Sequence, residues 1–145
     1  MDEADRLILE ELTKDAKTSL KVLSRRLAMP LSTVYQRIKK MEQEGLIRNY
    51  TVNVDWKKLG LGIKAYVSVY VDTTRLKELR KPQKEILEEV RRLPFVHDAE
   101  MVTGDADLIM IIRARDTHHL GQLITEKIQN IPGITNTKSL VTISY

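Results

Sequence analysis

Between Ser32 and Lys40 the chain sets Ser32, Thr33, Tyr35, Gln36, Arg37, Lys39 and Lys40 around Val34, Ile38 and Met41, whose i, i+4, i+7 spacing is that of a helix's apolar stripe. A helix here buries one face and turns a row of donors outward. The chemistry those side chains can do is recognition. A glutamine such as Gln36 matches the N6/N7 edge of adenine, an arginine such as Arg37 matches the O6/N7 edge of guanine, and Thr33 and Tyr35 can bond either bases or phosphates. Arg25, Arg26, Lys39, Lys40, Arg48 and Lys57 are the candidate phosphate partners. Arg37 stays open between a base, a phosphate and an ion pair with Glu42 on its own helix.

Such a helix needs a partner that fixes its angle, and Leu20, Leu23 and Leu27 supply one at i, i+3 and i+7. Ala28-Met-Pro-Leu separates the two helices, because Pro30 cannot lie in a helix interior but suits the first turn of the next. The recognition helix therefore starts at Pro30 or Ser32 and ends near Gly45. Thr18 or Ser19 can cap the helix before it. An earlier helix over about Asp2 to Lys14 carries acids in its first turn and Ile8 and Leu12 on its core side. After Gly45, residues 48–55 alternate Tyr50, Val52 and Val54 with polar neighbours and read as a strand, the wing of a winged helix-turn-helix. Trp56 reads as a packing residue, and Gly60 and Gly62 mark a hinge, which divides the chain into residues 1–60 and 61–145.

Charge placement agrees with this division. Residues 17–58 hold ten Lys or Arg against three acids, whereas residues 61–145 hold twelve against eleven, although the net charge is only +4. A basic module beside a near-neutral one is what a polyanion-binding domain joined to a non-binding one requires; a lysine-rich solvated surface is the bland alternative. The absence of cysteine excludes disulfides, thiolate metal sites and thiol catalysis. No run approaches the roughly 18 apolar residues of a membrane span, and the acidic start is unlike a secretory signal, so a cytoplasmic protein is expected. Phosphate-binding, nucleophile-elbow and dinucleotide glycine motifs are missing, so no enzyme is expected. His118 and His119 are adjacent and point about 100° apart on a helix, which is not metal-ligand spacing, and no cofactor is expected.

The second half repeats itself at an offset of 38 residues. Ile86, Val90, Leu93, Pro94 and Val96 correspond to Ile124, Ile128, Ile131, Pro132 and Ile134. Each copy is a helix, a Pro-marked turn and a strand, preceded by the alternating run Ile63 to Val71 in one case and by Leu108-Ile-Met-Ile-Ile in the other. The order β-α-β-β-α-β implies a four-stranded antiparallel sheet with two helices on one face, a ferredoxin-like sandwich, and hence an α+β chain overall. Its other face, with Tyr66, Ser68 and Tyr70, needs covering, which sheet-on-sheet packing in a homodimer would provide.

Three stretches resemble the Lrp/AsnC family of prokaryotic regulators: Asp2-x-x-Asp-Arg-Leu-Ile-Leu-x-x-Leu, Thr33-Val-x-x-Arg-Ile-Lys-Lys-Met-Glu-x-x-Gly-Leu-Ile and Tyr50-x-x-x-Val-Asp-x-x-x-Leu-Gly. Val102-Thr-Gly-Asp-Ala-Asp-Leu extends the likeness into the second half, which looks like the family's RAM domain. The resemblance implies a transcriptional regulator that binds double-stranded DNA as a dimer, assembles further into a tetramer or octamer, and responds to an amino acid or similar small effector. It places the effector at a contact between dimers, against Thr103, Gly104, Asp105, Ala106 and Asp107, with Thr137, Ser139 and Leu140 lining the same pocket from the last strand. On chemical grounds Gly104 offers an amide, and Asp105 and Asp107 can accept from an ammonium group. Asp107 is the preferred partner, with an Asx turn as the alternative. Two other function classes remain: an assembly protein binding an acidic partner, and an enzyme or regulatory subunit using the second half alone.

Overall fold

The structure is a computed structural model that describes residues 1–143, and it divides the chain into two compact units, Met1–Val54 and a second beginning at Asp55. The first unit has three helices: α1 (Glu3–Lys14), α2 (Leu20–Arg26) and α3 (Leu31–Gln43). Asp2 caps α1 with a reciprocal capping box, its carboxylate accepting from the Asp5 amide while the Asp5 carboxylate accepts from the Asp2 amide. Ser19, not Thr18, caps α2 through the Val22 amide. The three apolar stripes converge on Ile8, Leu23, Val34, Ile38 and Met41, all buried, with Leu9, Leu12, Leu20, Leu27, Met29 and Ile47 packed around them. Truncating a fully buried leucine or isoleucine in such a core costs roughly 2–5 kcal/mol, so Ile8 and Leu23 carry much of the unit's stability.

The expected wing strand at residues 48–55 does not form in the single chain. Alternation alone cannot make a strand, because extended backbone is stabilised by a hydrogen-bonded neighbour, and this segment pairs with none among the described residues. Tyr50 and Val52 stay exposed.

The second unit follows the expected order with one addition. Its elements are β1 (Ile63–Val71), α4 (Thr73–Glu78), α5 (Gln83–Arg91), β2 (Val96–Met101), β3 (Leu108–Ala114), α6 (Thr117–Gln122), which runs on into a π-helical turn (Leu123–Ile128), and β4 (Ile134–Val141). The sheet order is β2-β3-β1-β4, antiparallel throughout. Ala65, Val67 and Val69 of β1 and Leu108, Met110, Ile112 and Ala114 of β3 form the buried face under the two helices. The repeat is visible in that core: Ile86 and Val90 on α5, and Ile124 and Ile128 on the second helix, are all buried. The short α4, capped by Asp72, is the element that sequence periodicity does not predict, since its six residues bury only Leu76. No helix among the described residues is long and apolar enough to cross a membrane.

Candidate nucleic-acid interface and effector loop

Between α2 and α3 the chain turns through Ala28 with φ 50°, a left-handed conformation that a small side chain adopts at modest cost. Ser24 Oγ donates to the Met29 carbonyl across this turn. Pro30 then occupies the N-cap position with φ −55°, so α3 begins at Leu31 and no side chain caps it. That settles the register. Ser32 is not the cap but lies in the first turn, exposed, beside the amides that a helix start leaves without internal partners. With Val34, Ile38 and Met41 buried, Tyr35, Gln36, Lys39 and Lys40 are exposed and Thr33 half-buried.

Arg37 departs from the base-reading expectation. Its Nη1 lies 2.7 and 2.8 Å from the two Asp2 carboxylate oxygens and 2.8 Å from Asp5 Oδ1, so the guanidinium ties the start of α1 to the middle of α3. It does not reach Glu42, which bonds Lys39 Nζ and the Tyr50 hydroxyl instead. The cause is steric and electrostatic: Arg37 sits next to buried Ile38 at the edge of the stripe, within reach of a capping box that presents two carboxylates. Hydrogen bonding to Arg37 holds the Asp2 carboxyl below the usual carboxylate range. Asp5 is lowered by its bond from the Asp2 amide and then by Arg37.

A pH dependence follows. Carboxylates depressed in the folded state stabilise it above their ordinary pKa of about 3.9, and that contribution is lost as pH falls through that value toward the depressed ones. Thermal melts of Arg37→Gln should therefore show a lower midpoint than the unmodified protein at neutral pH, with the gap closing as pH falls below about 4. A gap constant with pH would contradict the ion-pair origin.

The remaining cations divide into two groups. Arg26 is bound to Glu11 at 2.6 Å and Lys39 to Glu42 at 3.0 Å, while Lys40 stands 3.8 Å from Glu44. Arg25 and Arg48 are exposed and make no ion pair among the described residues. The outward set on this unit is thus Arg25, Ser32, Thr33, Tyr35, Gln36, Lys40 and Arg48. Lys39 and Arg26 would have to exchange an intramolecular acid for a phosphate.

In the second unit the β2–β3 connection, residues 102–107, is closed by the Val102 amide donating to the Asp107 carbonyl at 3.0 Å. Gly104 takes φ 127°, a conformation other residues rarely adopt, and Thr103, Gly104 and Asp105 are exposed while Ala106 and Asp107 are half-buried. Asp107 is neither a free acceptor nor an Asx turn within its own hairpin. Its Oδ2 accepts from the Val71 amide at 2.8 Å and its Oδ1 from Gln83 Nε2 at 3.1 Å, so it fastens the end of β1 and the start of α5 to the loop. Each carboxylate oxygen retains a second lone pair for a ligand. Gln83 is the neighbour that sequence reading misses, since nothing local connects a residue 24 positions away to the loop.

The last strand does not present its three nominated residues together. Thr137 pairs with Val69 and Ser139 with Val67, on the helix side of the sheet, whereas Leu140 pairs with Tyr66 on the opposite side. Adjacent residues of a strand face opposite ways, so Leu140 cannot line a pocket with Ser139 in one chain. Thr137 Oγ1 is also engaged, accepting from Gln129 Nε2 at 3.0 Å.

Comparison with known proteins follows the same division. Residues 1–48 match the family described as winged helix-turn-helix DNA-binding, and residues 64–145 the Lrp/AsnC ligand binding domain. An HTH-type transcriptional regulator LrpA of Pyrococcus horikoshii is 34% identical over 137 residues, 93% of this chain and 91% of that protein. An uncharacterised HTH-type transcriptional regulator of Pyrococcus furiosus is 33% identical over 141 residues, 97% of this chain and 91% of that protein. Among solved structures, Escherichia coli AsnC superposes with a TM-score of 0.84 at 25% identity, covering 100% of this chain and 93% of that one. A Neisseria meningitidis transcriptional regulator solved as its L-Met complex has a TM-score of 0.89 at 22% identity, covering 99% and 90%, a likeness of fold.

Proposed function

Since the chain belongs to the Lrp/AsnC family of HTH-type transcriptional regulators, with a DNA-binding helix-turn-helix and a ligand-binding domain, we propose that it reads its operator as a homodimer through α3. In this reading its occupancy is set by an amino acid bound against residues 103–107 where dimers meet. The observation that carries the DNA half is the division of α3 into a buried stripe and an exposed row, Tyr35, Gln36 and Lys40, flanked by Arg25 and Arg48, which make no ion pair among the described residues. Gln36 and Tyr35 contact bases, with Thr33 at their edge. Arg25, Lys40 and Arg48 bind phosphates, with Arg26 and Lys39 joining once released from their acids. Ser32 and the free amides of the first turn suit a phosphate oxygen.

The effector half is supported by the exposure of Thr103, Gly104 and Asp105, because a loop open to solvent covers a ligand from one side only and needs a second copy to enclose it. The ligand complex of the Neisseria fold relative, an L-Met complex, makes an amino acid the class to test first. Asp107 then has two duties, bracing Val71 and Gln83 and accepting from the ammonium group. Assembly into tetramers or octamers follows from the same contact. The sheet face that carries Tyr66 and Leu140, both exposed, is the proposed dimer surface, and it places Leu140 between copies.

Selection from random duplexes at physiological salt should enrich one roughly palindromic motif, and failure to enrich any would remove the DNA reading. Calorimetry against the twenty amino acids tests the effector. Asp107→Asn keeps the size and one carbonyl acceptor, so it should weaken the amino acid that binds by about tenfold or more through loss of charge, with DNA affinity retained. Unchanged amino-acid affinity in a folded Asp107→Asn protein would leave Asp107 a brace alone.

A further inference from the structure

At the other end of the β2–β3 hairpin from the effector loop, Trp56, Leu61, Phe95, His97, Arg113 and His119 line a half-open cavity of about 310 Å³. Six strand residues at about 3.3 Å each separate it from the loop by roughly 20 Å, so one small molecule cannot occupy both. Three observations give the cavity a chemistry. The first is Arg113, whose guanidinium lies 5.3 Å from the centroid of the Trp56 ring and whose Nε is buried without a hydrogen-bond partner among the described residues. That Nε is closed off from solvent, but the guanidinium carries further N–H donors on its two Nη atoms, and these make no hydrogen bond or ion pair among the described residues, which leaves them for an acceptor in the cavity.

The second is the sign of the lining, which among the described residues contains a guanidinium and two imidazoles and no acid. Of the acids adjacent in sequence, Asp98 accepts from the Ala99 amide and Asp116 from the His119 amide, and neither lines the cavity. His119 Nδ1 accepts from the Arg115 amide at 3.2 Å, which places the proton of the neutral ring on Nε2 as a donor. The third is a bulge in β2. The pairing shifts between Val96, opposite Ile112, and Asp98, opposite Ile111, so His97 is the inserted residue, and its ring meets Trp56 edge to face at 5.2 Å. Bulges redirect a side chain out of the strand's alternation, and this one delivers an imidazole to the cavity.

We propose that this cavity is a second small-molecule site, for a carboxylate bearing one aromatic ring on a short chain, with the carboxylate on Arg113 and the ring among Trp56, Leu61 and Phe95. The volume lies at the small end of the roughly 300–1,000 Å³ of ordinary ligand pockets, which suits one ring. The site stands apart from the effector loop and does not depend on that assignment.

Trp56 is the only tryptophan, so its emission reports the site directly. Titration with hydrocinnamate should give a saturable change in emission, and the neutral amide of the same acid should bind at least about tenfold more weakly, the loss expected for a charge-assisted hydrogen bond. Arg113→Gln, checked for folding by circular dichroism, should erase the preference for the acid. An acid–amide preference that survives Arg113→Gln would place the ligand elsewhere, at the effector loop among other sites, and overturn the proposal. Equal binding of acid and amide by the unmodified protein, or no saturable response at millimolar ligand, would overturn it without recourse to any variant. An emission change that tracks protein concentration in place of ligand would assign the cavity to a second copy, and would equally overturn it.

Discussion

Gly133→Val is expected to destabilise the second unit by about 3–5 kcal/mol, a large fraction of the roughly 5–15 kcal/mol stability of ordinary domains. Gly133 is buried at the start of β4 with φ 106°, where a side chain is strained whatever the space around it. Space is short as well: a Cβ built there would collide with the Cδ2 end of the buried Leu76 side chain, which would have to repack, and would touch Ile86 Cδ1 at 3.4 Å. The position cannot yield by shifting, because the Gly133 carbonyl accepts from the Asp72 amide at 2.9 Å, the residue that caps α4. Backbone strain of roughly 1–2 kcal/mol and overpacking of roughly 1–3 kcal/mol therefore add, with a further increment for β-branching. Urea denaturation followed by far-ultraviolet circular dichroism would measure it. Gly133→Ala should fall between, and adding Leu76→Ala should recover part of its steric loss and none of its backbone strain. An unchanged midpoint in Gly133→Ala would mean that α4 moves freely, contrary to its place in the core.

The turn around Gly133 also illustrates what sequence can and cannot disclose. Its neighbours were legible: Ile124, Ile128, Ile131 and Pro132 repeat Ile86, Val90, Leu93 and Pro94, and a helix-turn-strand read from one copy predicts the other. The alternation of Ile63 to Val71 fixes which side chains face the helices, because period two admits only one assignment once Val67 and Val69 are inside. Contacts of long sequence separation were not legible. Arg37 finds Asp2 and Asp5 at separations of 35 and 32 residues, and Asp107 finds Val71 and Gln83 at 36 and 24. Local patterning constrains only what lies within a few turns of helix or across a hairpin. The strand-four residues differ in kind. The alternation of β4 already sets Leu140 opposite Ser139, and grouping them follows a resemblance to assembled regulators, where a neighbouring copy can unite faces that one chain separates. The wing is similar: residues 48–55 carry strand alternation without a ladder among the described residues, so the pattern marks a capacity to pair that a single chain does not use.

Gln36→Ala should reduce affinity for the selected operator by about 30- to 10⁴-fold, with little effect on folding. The argument begins with exposure: Gln36 lies on the solvent side of α3 and makes no intramolecular side-chain hydrogen bond among the described residues, so its loss leaves the core of Ile8, Leu23 and Val34 intact. A bidentate contact to a base contributes roughly 1–3 kcal/mol of discrimination, and the proposed homodimer would present each contact twice, giving roughly 2–6 kcal/mol. The loss should be confined to sequence-specific binding. Non-specific affinity, carried by phosphate contacts, should be nearly unchanged, and the variant should relax its preference at one symmetric pair of operator positions. Arg48→Ala should do the reverse. It removes one exposed cation per subunit, weakening binding to all duplexes alike and lowering the slope of log K against log salt by about two per dimer. Arg37→Gln belongs to neither class, since its guanidinium is committed to Asp2 and Asp5. It should lower thermal stability while leaving the base preference of the folded fraction in place. Fluorescence anisotropy of the three variants against specific and scrambled duplexes, across a salt series, separates these outcomes. A Gln36→Ala protein that keeps full selectivity while Arg37→Gln loses it would exchange their roles, and would mean that DNA draws Arg37 off its carboxylates.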